Sequence, residues 1–204
     1  MKNFIEDLDI QGHLQISKRF DNGSEEVLFD DHNIIVSGMG IGLSYLFGLV
    51  GSPNILDYQI DRFQIGVSGS QASEQISTNQ LVAPLSSVEE YGDNALLYVL
   101  SGYHAIAPET YIGPEWFGYI PAHKVSRVGD RSVRYTITLD KESCNNLTRD
   151  GNDVDLNEIG LYMKNPLGNL GVGADTSILV AYRYFSGITK TEDYSLIFRW
   201  TINW

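Results

Sequence analysis

Cysteine is almost absent from this sequence: Cys144 is the only one in 204 residues, so no disulfide can form within the chain. Basic residues are scarce too. Fourteen Lys and Arg stand against 26 Asp and Glu, a formal net charge of -12, and the cations are scattered. Binding to nucleic acid or to an anionic membrane surface relies on clustered cations, so both roles are disfavoured, and the charge reads as keeping the chain soluble. No apolar run approaches the length needed to cross a bilayer. Met1–Asp9 lacks the basic and apolar blocks of a signal peptide, so synthesis in a cytoplasm is expected.

What is present is core-forming material. The chain is 43% hydrophobic and 11% aromatic, which excludes a disordered acidic tail and suits one domain over residues 1–204. Between Asp9 and Lys18, Ile10, Gly12, Leu14 and Ile16 alternate with polar residues, the period of a half-buried strand. Asp21-Asn22-Gly23 then supplies a turn, and Glu25–Phe29 resumes the strand, so the pair reads as a hairpin. Asn33–Val36 reads as a further short strand. Ile41, Leu43, Tyr45, Leu46, Leu49 and Val50 recur at helical spacing and predict the one helix, although Gly38, Gly40 and Gly42 weaken its start.

Further strands are predicted at Arg62–Ser68, within Ala95–Ala107, and at Ser132–Asp140, Glu158–Met163, Ile178–Phe185 and Tyr194–Trp204. Gly69–Asn79 is rich in Gly, Ser and Gln and reads as a mobile loop, and Glu142–Asp155 as polar turns. Short strands with glycine-rich turns predict a mostly β chain: an antiparallel β-sandwich-like domain with one short helix.

Catalytic and metal-binding patterns do not form in the sequence. Gly38, Gly40 and Gly42 miss the dinucleotide-binding spacing, and no Lys or Ser/Thr pair of the P-loop type follows. Asp150, Asn152, Asp153 and Asp155 fail the order of an EF-hand loop. His13, His32, His104 and His123 are far apart in sequence. Gly66-Val67-Ser68-Gly69-Ser70 lacks the final glycine of a nucleophile elbow. No enzyme, cofactor or metal is therefore expected. The most conspicuous candidate contact residues are Tyr111, Trp116, Phe117 and Tyr119 in the proline-containing stretch Pro108–Pro121. Such rings stack on sugars, anchor interfaces, or form a satellite core.

Four segments together resemble tail-fibre, baseplate and related virion structural proteins of bacteriophages. They are His32-Asn33-Ile34-Ile35-Val36-Ser37-Gly38 with Leu43, Leu46 and Phe47; Phe63–Ser70 with Thr78, Leu81, Pro84 and Leu85; Asn157-Glu158-Ile159-Gly160-Leu161-Tyr162; and Val180, Ala181, Arg183, Phe185 and Ile188-Thr189-Lys190 before the Trp-containing last strand. The region Ser87–Arg131 departs from that pattern. The resemblance implies a non-catalytic virion component made in the host cytoplasm, working as a homo-oligomer docked to other virion proteins. The alternative expectation is a receptor- or carbohydrate-binding module in which Tyr111, Trp116 and Tyr119 stack on sugar and Glu115 or Asp130 accepts hydroxyl bonds.

Overall fold

The computed structural model describes residues 10–85, 117–167 and 177–204. Alternating sequence becomes strand where expected: β1 (Gln11–Arg19) and β2 (Glu25–Ile35) form the hairpin, with Gly23 at a φ of 81° in its turn. β2 is longer than the sequence suggests. Asp30, Asp31 and His32 break the apolar pattern, yet they pair with Gln15, Leu14 and His13 of β1, because an exposed strand face tolerates charge. The helix α1 (Ser37–Gly48) starts before the predicted position, since Gly38 and Gly42 serve packing. A methyl on Gly38 would overlap the Leu179 carbonyl, and one on Gly42 would overlap the Met163 sulfur.

The remaining strands are β3 (Ile60–Gly66), β4 (Gly118–Tyr119), β5 (Val125–Gly129), β6 (Ser132–Leu139), β7 (Thr148–Arg149), β8 (Asn152–Asp153), β9 (Leu156–Lys164), β10 (Ser177–Ile188) and β11 (Ser195–Asn203). β7 and β8 form a small separate hairpin. The other nine make one antiparallel sheet in the order β4-β3-β9-β10-β2-β1-β11-β6-β5. The predicted strands within Ala95–Ala107 lie outside the described residues.

The sheet curls into two facing halves, and β2 is its corner. Most of β2 pairs with β1, whereas Ile34 and Ile35 pair with Tyr182 and Ala181 of β10. Side chains from both halves meet in one core: Leu14, Ile16, Ile137, Phe198 and Trp200 from one, Ile65, Ile159, Leu161, Val180 and Phe185 from the other. Phe185 and Phe198 touch across it, with ring centroids 6.3 Å apart. The two outermost strands, β4 and β5, are joined by residues 120–124 alone. A chain that short spans about 20 Å fully extended, so the edges of the sheet are drawn together. This is a mostly β, sandwich-like fold with one short helix.

A polar bond threads the larger half. Trp200 is fully buried and its indole N–H donates to Asn33 Oδ1 at 2.8 Å. The Asn33 side chain reaches it by lying over Gly12, its partner on β1. The asparagine of the first resemblance segment thus satisfies the tryptophan of the last strand.

Candidate functional site

Parts of the resemblance segments meet on the outer face of the smaller half of the sheet. Val36, Leu81, Tyr162, Leu179 and Tyr182 form a second apolar cluster there, together with Phe117. Beside it, Glu158 on β9 is completely buried. Its carboxylate accepts the backbone N–H groups of Ala83 at 2.8 Å and Val82 at 2.9 Å, and the Tyr182 hydroxyl at 2.9 Å. Asn157 holds Gly69 by both its N–H and its carbonyl. Glu74 accepts the Tyr184 N–H at 2.9 Å and pairs with Arg183. The stretch predicted as a mobile loop is therefore a loop tied to the sheet at several points. Gly66, at the end of β3, and Gly69 in the loop have packing reasons: a side chain on either would run into Glu158. With both its oxygens hydrogen-bonded and its side chain fully buried, Glu158 acts as a clamp for residues 67–85.

Lys190, from the same set of segments, is also internal. Its ammonium donates to Asn145 Oδ1 and the Thr191 carbonyl, each at 2.7 Å, and lies 5.3 Å from the centre of the Tyr194 ring. It plugs the turn containing Cys144 and Asn146, whose φ angles are 59° and 48°. Burial lowers the Lys190 pKa to about 8, while burial raises the phenol pKa values of Tyr135, Tyr182 and Tyr194. Between about pH 8 and the ordinary lysine value of 10.5, the unfolded chain holds a proton that the folded chain has released. Stability should therefore rise with pH from about 8. The tyrosines act with the opposite sign, since the folded chain keeps their protons longer, and stability falls once pH passes the ordinary phenol value of 10.0. Urea midpoints measured from pH 7 to 11 should show this maximum, and Lys190→Met should remove the rising limb.

Of the candidate aromatic residues, Tyr111 and Trp116 lie outside the described residues, as does Glu115. Phe117 is 3% exposed and stands edge-on to Tyr162, ring centroids 5.0 Å apart at 87°. Its place is in the second cluster, as the satellite-core reading has it. Tyr119 is half-buried and lines a cavity of about 460 Å³ between α1 and the drawn-together edges, with Tyr58, Tyr135 and Trp204. Phe117 and Tyr119 thus face different surroundings and do not form one platform. Asp130 is exposed and paired with Arg127.

His13 and His32 meet across the β1–β2 pair, ring centroids 5.9 Å apart, and His13 Nε2 is 2.7 Å from Asp30. Among the described residues, no group of three or more His, Cys, Asp or Glu side chains is placed to hold a metal ion. Asp155, from the acidic turn, accepts the Thr189 hydroxyl.

The sequence reading missed the feature that stands out most on the described surface. From Asn33 to Leu56 the chain has no charged side chain, and the helix in that stretch is mostly apolar, with Ser37 and Ser44 its polar side chains apart from the Tyr45 hydroxyl. Such a helix is expected in an interior. Here one side packs on β10, and the far end is bare: Phe47 is 79% exposed, Ile55 66%, and Leu49, Val50 and Leu56 are exposed as well. Leu167 joins them where Gly51 packs against Pro166 and Leu167. The patch is shaped by its own bonds, not frayed. The Tyr58 hydroxyl sits among the Val50 and Ser52 carbonyls, Asn54 caps the short 3-10 turn Ile55–Tyr58, and Leu49 at φ 48° ends the helix. The missing signal was legible as a long charge-free stretch; helical periodicity alone did not say which side would be covered. Compared with protein-family models, curated proteins and solved structures, the chain matches none.

Proposed function

We propose that this chain is a structural component of a bacteriophage virion, part of a tail, baseplate, fibre or neck, and that it works by assembling with further copies of itself and with other virion proteins. The observation that carries the assembly role is the bare apolar surface of Phe47, Leu49, Val50, Ile55, Leu56 and Leu167. Contiguous exposed apolar side chains of this kind mark contact surfaces. The virion assignment rests on the resemblance of the four segments.

The partner at the patch is a second copy of the chain. With a net charge of -12, two copies repel wherever their acidic surfaces meet. The stretch Asn33–Leu56 carries none of that charge, so this is the place where like copies meet without opposing carboxylates.

Molar mass by light scattering across a concentration series is the test. The native chain is expected as a discrete oligomer. Phe47→Asp combined with Ile55→Asp buries unpaired charge in the contact and should weaken self-association by about 100-fold or more, leaving a folded monomer. A native chain that stays monomeric at high concentration, or a double variant that assembles like the native chain, overturns the reading.

A further inference from the structure

The cavity of about 460 Å³ between α1 and the drawn-together sheet edges is largely apolar, with Met39 and Leu43 from the helix, Met163 from β9, and Ile120 and Val125 beside the joined edges. Two deeply buried polar side chains on its wall, Tyr135 and Asp61, break that pattern.

Tyr135 is 6% exposed, and its hydroxyl makes no hydrogen bond with another described residue. The oxygen is not sealed, however: among the described residues only Gln64 Nε2 and Arg183 Nε are both unpartnered and closed off. A phenol carried this far inside normally has a partner. Asp61 is also 6% exposed and occupies the bulge in the β3–β9 pairing between Ile60 and Arg62, an irregularity that re-aims a strand side chain. Its Oδ1 accepts Arg62 Nε at 2.9 Å. Its Oδ2 has Lys164 at 3.5 Å, longer than an ordinary hydrogen bond, and that ammonium donates to the Leu56 carbonyl at 3.1 Å.

The wall therefore offers one donor and one acceptor, both buried and neither used up by the fold. Among the described residues no Lys or Arg lines the cavity, so an anionic ligand would meet Asp61 without a counter-charge. Arg62 and Lys164 already balance Asp61 from behind, which disfavours an ammonium ligand. We infer that this cavity binds an uncharged aromatic amide. The amide N–H donates to Asp61 Oδ2, the amide carbonyl accepts the Tyr135 hydroxyl, and the ring packs among Tyr58, Tyr119 and Trp204. The volume is that of a small-molecule site. This goes beyond the assembly role and does not depend on it, since Phe47, Ile55 and Leu167 are not part of the cavity wall.

The test is an NMR titration of the full isotope-labelled chain with benzamide. Acetophenone, which has the same shape and no N–H, and benzoate, which is anionic, are the comparisons. Benzamide should shift the Met163 methyl, the Tyr135 ring and the Trp204 indole N–H. Acetophenone should bind about ten-fold more weakly, and benzoate more weakly still. Tyr135→Phe removes a hydroxyl that bonds nothing in the free protein, so it should leave the melting temperature unchanged while weakening benzamide about five-fold. Absence of shifts at these groups up to tens of millimolar benzamide overturns the inference. So do acetophenone or benzoate binding as well as benzamide, and a Tyr135→Phe variant that binds benzamide like the native chain.

Discussion

Glu158→Ala should destabilise the fold by about 4 kcal/mol, mostly by orphaning what the carboxylate now satisfies. Its removal leaves the Val82 and Ala83 N–H groups without their acceptor beside a fully buried position, while the Tyr182 hydroxyl keeps Ser73 Oγ at 2.8 Å. Each stranded buried donor costs about 1 to 3 kcal/mol, and the truncated side chain leaves a void besides. The loss should be uneven across the molecule. Residues 67–85 hang from Glu158, Asn157 and Tyr182, so proteolysis and amide exchange should accelerate there before the core responds. Glu158→Gln keeps one oxygen but turns an NH2 toward a backbone N–H, and about half the effect is expected. Urea midpoints for the two variants, read with exchange rates over residues 67–85, decide the matter. A loss under about 1 kcal/mol for Glu158→Ala would mean that the loop is held by its apolar contacts and the carboxylate is dispensable.

Gly12→Ala should cost about 3 kcal/mol, although it adds one methyl group. The space above Gly12 is filled by the Asn33 amide, which is held in place by the Trp200 indole N–H. The methyl forces the amide aside, so overpacking and the loss of a buried hydrogen bond arrive together. Asn33→Ala removes the same bond while opening room, and should cost about 2 kcal/mol. The informative comparison is the double variant. If the three residues act as one unit, Gly12→Ala with Asn33→Ala costs little more than Asn33→Ala alone; additive losses would show that the methyl strains something other than the amide.

These two sites show what kind of information the sequence carried. Asn33, Gly66, Glu158, Gly160 and Lys190 belong to the segments that carry the resemblance, and each is an internal fixture of the fold. Their chemistry could not be assigned beforehand. A carboxylate in a β-rich chain reads equally as surface, catalyst or clamp until its oxygens are given partners, and two of the three partners of Glu158 come from residues more than seventy positions away. Phe117 and Tyr119 likewise looked like neighbours in one aromatic loop. On one regular strand i and i+2 would share a face, but Phe117 lies before β4 and Tyr119 within it, and their rings enter different surroundings.

What the sequence determined by itself is local: the two-residue alternation of β1, β6 and β11, the Asp21–Gly23 turn, the single helix, and the mostly β class that follows from them. Those patterns are set by how neighbouring residues split between a wet and a dry side. The tertiary structure alone decided that one sheet curls so that β2 serves both halves, that a glycine-rich loop is fastened down, and that an apolar helix end stays bare. Each of these depends on which distant strand supplies the partner, and strand pairing is a long-range choice that no window of sequence contains.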